Sequence, residues 1–243
     1  MKKINIVLLI FLFTMINLCS EIINFNLNYL GLKFVDVKMK KTKRKDENII
    51  RVDTESTAMA GLIYKMNNTY ISTMSEDLLP FRYEKIVDQG DYFENRTIFY
   101  KREKEIAQRK SLLNPNKNKE YKIEPYTRDF FSALYQLRKI AHKDSGTIWV
   151  DACGLIWKMQ FSNFCTDEIK TIFGKKKAYK LKINFVRFSE KEKERSDIFT
   201  NNIVNEKNTL IMWISLDENR IPLLAIYKRK PFPVKWKLTK YEK

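Results

Sequence analysis

From Asn24 to Tyr29 the chain reads Asn-Phe-Asn-Leu-Asn-Tyr, an alternation of polar and apolar residues without error. Successive side chains of a strand point to opposite faces, so this pattern sets Phe25, Leu27 and Tyr29 on one face and the asparagines on the other. A helix made of the same residues would scatter its apolar groups around the axis, which excludes that alternative. The period of two returns in Val35, Val37 and Met39 against Asp36, Lys38 and Lys40, with Gly31 offering a turn between the two runs. It returns again in Tyr179, Leu181, Ile183 and Phe185 against Lys180, Lys182 and Asn184. A chain patterned in this way calls for a sheet with one face buried.

Further strands are predicted at Ile49 to Ala58, Gly61 to Lys65, Tyr70 to Met74, Phe81 to Val87 behind Pro80, and Tyr92 to Arg102. Later ones fall at Thr147 to Asp151, Leu155 to Phe161, Thr209 to Leu216, Ile221 to Lys228 and Pro233 to Lys240. Asn67-Asn68, Gln89-Gly90-Asp91 and Asp217 to Arg220 supply turns. Three segments read as exposed loops: the basic Lys40 to Lys45, the proline-bearing Gln108 to Glu120, and the charged Ser189 to Asn208, which has room for a frayed turn of helix. One stretch breaks the alternation. Phe130, Phe131, Ala133, Leu134, Leu137, Ile140 and Ala141 recur at helical spacing and predict a helix over Asp129 to His142, with Thr127 or Asp129 as its cap and Lys139, His142 and Lys143 near its negative end. The partner available in quantity for its apolar face is a sheet. Residues 21–243 are therefore expected to form one β-dominated domain, a strongly curved antiparallel sheet or open barrel with one packed helix.

Met1 to Ser20, MKKINIVLLIFLFTMINLCS, stands outside that pattern. Two lysines, an apolar run from Ile4 to Ile16 broken by Asn5 and Thr14, and small residues at the end read as an export signal. The run is shorter than the roughly 20 apolar residues of a membrane-spanning helix. Cleavage after Ser20 would leave the mature chain in the periplasm. Cleavage before Cys19, with lipidation of that cysteine, would tether it to a membrane, although Ile16, Asn17 and Leu18 lack the small residues that usually precede a lipidated cysteine.

The formal charge is +17, and of the surplus only Lys2 and Lys3 belong to the leader. Nucleic acid is not expected as a partner of an exported protein, which leaves a lipid or anionic envelope surface, or other envelope proteins. Lysines occur in almost every segment rather than in one block, so a solvated surface without any partner is the preferred reading of the charge. Surface lysines such as Lys180, Lys182, Lys235 and Lys237 would favour anionic membranes.

Chemistry-bearing residues are few. Cys153 lies in the turn Asp151-Ala152-Cys153-Gly154, while Cys165 follows the next strand; seven strand residues span roughly 20 Å, against the roughly 7 Å between α-carbons that a disulfide tolerates. Two separate thiols are expected. His142 is the single histidine, at a helix end where dipole effects alone would favour it. No carboxylate and histidine cluster has metal spacing, no glycine-rich loop precedes a helix, and GxSxG is absent. The acid pairs Glu76-Asp77 and Asp217-Glu218 sit at strand ends and turns. These observations predict a non-catalytic protein without cofactor or metal. Tyr29, Trp149, Trp157, Tyr179, Phe185, Trp213 and Trp236 fall in predicted strands, and a curved sheet could use them to line a concavity fit for an acyl chain, or simply as core around Phe131, Leu134 and Leu137.

Three motifs occur in a distinctive order: Leu79-Pro80-Phe81-Arg82-Tyr83-Glu84, then Arg128-Asp129-Phe130-Phe131-Ser132-Ala133-Leu134-Tyr135-Gln136-Leu137-Arg138, then Ile211-Met212-Trp213-Ile214-Ser215-Leu216-Asp217-Glu218-Asn219-Arg220-Ile221-Pro222. In this the chain resembles domain-of-unknown-function family 3108, exported proteins of Gram-negative bacteria with a proline-led strand, a DPxSALYxLR helix and a late WxTDDxxRxP hairpin. Phe130 stands in place of the family's proline, Ser215 and Leu216 in place of Thr and Asp, and Lys33-Phe34 in place of small residues. The resemblance implies location and β architecture more than activity, and marks Pro80, Asp129, Ser132, Arg138, Trp213, Asp217, Arg220 and Pro222 as motif residues. Asp129 is expected to cap the helix. Arg138 is expected either to pair with a sheet carboxylate or to present its guanidinium to an anionic headgroup. By analogy of fold alone, the half-barrel lipoprotein carriers and receptors of the periplasm suggest a binding module for a hydrophobic or amphiphilic envelope component; the alternative is an envelope scaffold or assembly factor.

Overall fold

The alternating segments pair into one sheet. A computed structural model of the protein describes residues 20–228 and 232–243, so the expected leader up to Cys19 lies outside the described residues. A first meander runs through β1 (Ser20–Tyr29), β2 (Leu32–Arg44), β3 (Glu47–Ser56), β4 (Met66–Met74), β5 (Pro80–Gln89), β6 (Tyr92–Lys101), β7 (Ile106–Ser111) and β8 (Lys119–Lys122). A second holds β10 (Ser145–Ala152), β11 (Leu155–Thr171), β12 (Gly174–Arg187), β13 (Thr209–Ser215), β14 (Pro222–Tyr227) and β15 (Val234–Glu242). The two join where β15 pairs antiparallel with β1, from Ile22 opposite Glu242 to Asn28 opposite Lys235. A two-residue strand, β9 (Arg128–Asp129), adds parallel to β10, so the order runs from β8 through β1 and β15 to β9 and the sheet stays open.

Its inward face carries the alternation. Ile23, Phe25 and Leu27 of β1 and Val35, Val37 and Met39 of β2 are buried, each contributing about 1.5–3 kcal/mol by leaving water. Against that face packs α2 (Phe130–Ile140), between α1 (Ala58–Gly61) and α3 (Ile198–Ile203) in the sequence. Asp129 caps α2, accepting hydrogen bonds from Phe131 N at 3.0 Å and Ser132 N at 3.1 Å. Phe130, Phe131 and Leu137 then turn into the core.

Several local expectations are corrected. Gly61 to Lys65 is not a strand: the Thr57 side chain accepts from Ala60 N and starts α1, and Tyr64 N still donates to Ala60 O at 2.8 Å. Asn67-Asn68 is not a turn, because the Asn68 amide bridges strands, donating to Gln89 Oε1 at 3.0 Å and accepting from Asp88 N at 3.1 Å. Within the expected loop Lys40 to Lys45, β2 continues to Arg44 and only Lys45 turns, at φ +46°. Gln108 to Glu120 contains most of β7 and the start of β8, with Arg109 and Ser111 buried. Ser189 to Asn208 is no solvated loop: Ser196, Asp197, Phe199 and Thr200 are buried. Among the described residues three α-helices replace the expected one, α1 and α3 being four and six residues long. Finally, β11 and β12 outrun their neighbours. β10 accompanies β11 only as far as Ser162, and β13 accompanies β12 only from Ala178, so the residues between form a two-stranded arm.

Candidate functional site

One end of the sheet forms an apolar cavity of about 220 Å³, half open to solvent. The end of β1 gives Leu27 and Tyr29, the start of β2 Phe34 and Val35, the β14–β15 hairpin Tyr227, Val234 and Trp236, and the two short helices close over them with Ala60 and Phe199. Phe199 reaches this place because Asp197 caps α3, accepting from Thr200 N at 2.8 Å. Its ring then meets Trp236 at 4.4 Å between centroids. Only Ala60 of α1 is buried; Ile63, which borders the cavity, and its neighbours in sequence Met59 and Leu62 are 84%, 77% and 89% exposed. A monomer rarely leaves such a cluster in water without using it.

Beside the cavity the same inward face turns ionic. Lys85 on β5, 1% exposed, lies 2.7 Å from Asp197 Oδ2 and 3.2 Å from Glu94 Oε2, and donates to Ser196 Oγ at 2.5 Å. Arg96 lies 3.1 Å from Glu94, and Tyr70 donates to Asp197 Oδ1 at 2.9 Å. Burial alone would raise the Asp197 pKa, but Lys85 and the Thr200 hydrogen bonds outweigh it and hold the carboxyl at about 2. Glu94 is lowered likewise, against its burial, by Lys85 and Arg96. At the network's edge Arg109 and Lys119 hold Glu194 at about 2, again against the effect of burial. Two other buried acids go the opposite way. Burial pushes Asp129 and Asp151 up despite the hydroxyls of Ser72 and Ser132 on the first and of Tyr100 and Tyr121 on the second. Lys85 thus sits between two carboxylates, Glu94 and Asp197, and is shut from water.

The motif residues gather into a frame. Arg138 makes a two-pronged pair with Glu21 on β1, at 2.6 and 2.8 Å, and donates to Arg220 O and Asn219 O at 2.9 Å each. The helix motif therefore holds the late hairpin motif. Within that hairpin Asp217 accepts from Ser215 Oγ at 3.0 Å and from Asn219 N at 3.1 Å, and Arg220, at φ +49°, stacks on Tyr179. Pro222 opens β14, and Pro80 opens β5 with its carbonyl held by Arg102 at 2.7 Å. Trp213 donates to Asp167 Oδ2 at 3.2 Å, and Ser132 supports the Asp129 cap. Cys19 lies outside the described residues. Cys153 is buried and Cys165 exposed, both as free thiols. His142 is exposed beyond α2. Among the described residues no cluster of His, Cys, Asp and Glu could hold a metal ion.

The aromatic strand residues divide. Tyr29 and Trp236 line the cavity; Trp157 and Phe185 are core; Trp149 is paired with Phe188 and Lys158. Sequence reasoning missed the ionic cluster. A signal was present: in β5 and β6, Lys85 shares its phase with Tyr83 and Val87, and Glu94 and Arg96 share theirs with Tyr92 and Ile98.

The family described as "Protein of unknown function (DUF3108)" matches residues 24–231. Three solved chains match. One is a crystal structure of a beta-barrel-like protein of domain of unknown function DUF1849 from Brucella abortus, 10% identical, covering 93% of this chain and 97% of its own, with a TM-score of 0.57. At that identity it shows the fold alone. No curated protein matches.

Proposed function

The chain belongs to the DUF3108 family of proteins of unknown function, and from that premise we propose that it is an exported, non-catalytic binding module holding a hydrophobic or amphiphilic envelope component. The cavity carries this reading. An apolar cavity of roughly 150 Å³ suffices to bind benzene, and the one beneath α1 and α3, at about 220 Å³, is larger and lined by Leu27, Phe34, Val35, Phe199 and Trp236. It falls below the roughly 300–1,000 Å³ of sites that swallow a whole small molecule. The occupant is thus an acyl-chain end or similar apolar tail, its polar part left outside near Met59, Leu62 and Ile63.

A scaffold acting through exposed strand edges finds less support. The edge strand β8 is four residues long with a lysine at each end, and β9 at the other edge has two residues; short, charged edges discourage strand addition. Binding of a fluorescent fatty-acid probe tests the proposal. Wild type should bind, and Ala60→Trp, which fills the cavity from a short surface helix, should reduce binding at least tenfold with an unchanged melting profile. Equal binding by A60W would refute the assignment.

A further inference from the structure

The arm formed by β11 and β12 ends in a turn with unusual chemistry. Thr171 pairs with Gly174, so Ile172 and Phe173 are the two loop residues of a hairpin. Such loops are normally built from Asn, Asp and Gly. Gly174 at φ +81° supplies the conformational freedom, and Thr171 Oγ1 ties the turn by accepting from Phe173 N at 3.0 Å and donating to Gly174 O at 2.9 Å. Ile172 and Phe173 stay 53% and 44% exposed, so the fold gains little from their size.

The next positions break a second rule. Lys170 lies directly opposite Lys175, a like-charge pairing that destabilises a hairpin. Lys176 and Lys177 follow on the same strand. Glu168, 3.2 Å from Lys175, is one carboxylate nearby. The arm is nevertheless firmly rooted: Asp167 takes the Trp213 indole at 3.2 Å and Lys180 at 3.3 Å. Local rules broken in an ordered element, without a gain to the fold, point to a use outside it.

We propose that the arm tip docks on an anionic lipid bilayer, Ile172 and Phe173 entering the boundary between headgroups and acyl chains while Lys170 and Lys175 meet the anionic headgroups. The order of the two chemistries carries the choice of partner. Two residues of strand set the lysine pair roughly 7 Å behind the tip, within the roughly 5–10 Å to which interfacial segments sink. Lysine stems are long enough to lie along apolar surface and keep their charge at headgroup level. This docking is independent of the cavity, which lies at the other end of the sheet.

Co-sedimentation of the full chain with vesicles, wild type and variants prepared alike, provides the test. Phosphatidylglycerol-containing vesicles should bind wild type at least tenfold more tightly than pure phosphatidylcholine, with affinity falling as salt rises. Ile172→Ser with Phe173→Ser should weaken binding about tenfold, and Lys170→Gln with Lys175→Gln about as much while flattening the salt dependence. All four positions are surface sites, and unchanged circular dichroism and fatty-acid probe binding would show that fold and cavity survive. Retention of full vesicle affinity by I172S/F173S overturns the proposal. So does a change in oligomeric state in place of vesicle binding, which would assign the tip to a second copy of the chain.

Discussion

Two regions of the concave face bury their side chains equally and do so with opposite chemistry. Under β1, β2 and β15 the inward positions are Phe25, Leu27, Val37, Met39, Trp236 and Leu238; under β5 to β7 they include Lys85, Glu94, Arg96 and Arg109. Both obey the same period of two. In the apolar region each residue contributes through its own removal from water, and the loss of one leaves its neighbours largely intact. In the ionic region each charge is tolerable only through its partner, because desolvation can exceed the attraction between a buried pair. The apolar region can therefore leave space for a ligand, while the ionic region must be fully assembled before it is stable. The segment that completes it, Ser196 to Thr200, also carries Phe199 to the cavity wall. The ionic half thus sets one wall of the apolar half.

The largest expected effect breaks the ionic side. Lys85→Met leaves Asp197 and Glu94 buried without their shared cation and should cost about 3–5 kcal/mol in urea unfolding. Adding Asp197→Asn should return part of that loss, since an amide oxygen can still accept from Thr200 N and Tyr70. If the double variant is as unstable as the sum of the single ones, the partnership of Lys85 and Asp197 is not what holds the segment.

Phe199→Ala breaks the apolar side and should cost about 3 kcal/mol, toward the low end for a buried Phe→Ala change because the ring already borders empty space. Unlike the Lys85 loss, this one should be partly repaired by an apolar ligand that binds the folded state. Equal loss with and without a fatty-acid probe would separate the ring from the binding site.

Acid titration sharpens the contrast. The Asp197 pKa is lowered from 3.8 to about 2 in the folded state, so its contribution of about 2 kcal/mol is complete above pH 4 and lost as pH falls toward 2. Glu94 and Glu194 act in the same direction. Asp129 and Asp151 are raised, so they hold more protons folded than unfolded just above pH 4 and give stability back as pH falls through that window. Stability by urea unfolding should therefore rise slightly on mild acidification before falling steeply. In Lys85→Met the Asp197 part of the steep fall should vanish.

The apolar region was legible because its alternation is written in residues that have one preferred place: Phe25, Leu27, Val35, Val37 and Met39 have no reason to face water. The ionic region followed the same phase, yet Lys85, Glu94 and Arg96 have a favourable alternative in solvent, and only a partner from Ser189 to Asn208 changes that preference. The partner is 111 residues away from Lys85 in the case of Ser196, beyond any local pattern. Asn67-Asn68 failed for a related reason, since an amide that favours turns also bridges strands when Gln89 lies diagonally across the pair. The arm went unread because exposure on both faces removes the contrast that makes a strand visible.

Arg138 and Glu21, at the end of β1 away from the cavity, combine the chemistry of the ionic region with partial access to water, and give the smallest expected effect. Burial opposes ionisation of Glu21, but Arg138 outweighs it and lowers the carboxyl below its ordinary value. The side chains keep 9% and 15% exposure, and Arg138 retains the carbonyls of Asn219 and Arg220 when the carboxylate is lost. Glu21→Gln should accordingly cost about 1–2 kcal/mol, well below Lys85→Met. Its loss should be largest above pH 5 and shrink as wild-type Glu21 itself protonates at lower pH, because a depressed carboxyl contributes only while it is charged. If E21Q matched the Lys85 variant in cost, access to water would not be what distinguishes the two pairs, and the Arg138–Glu21 pair would belong with the buried ionic wall.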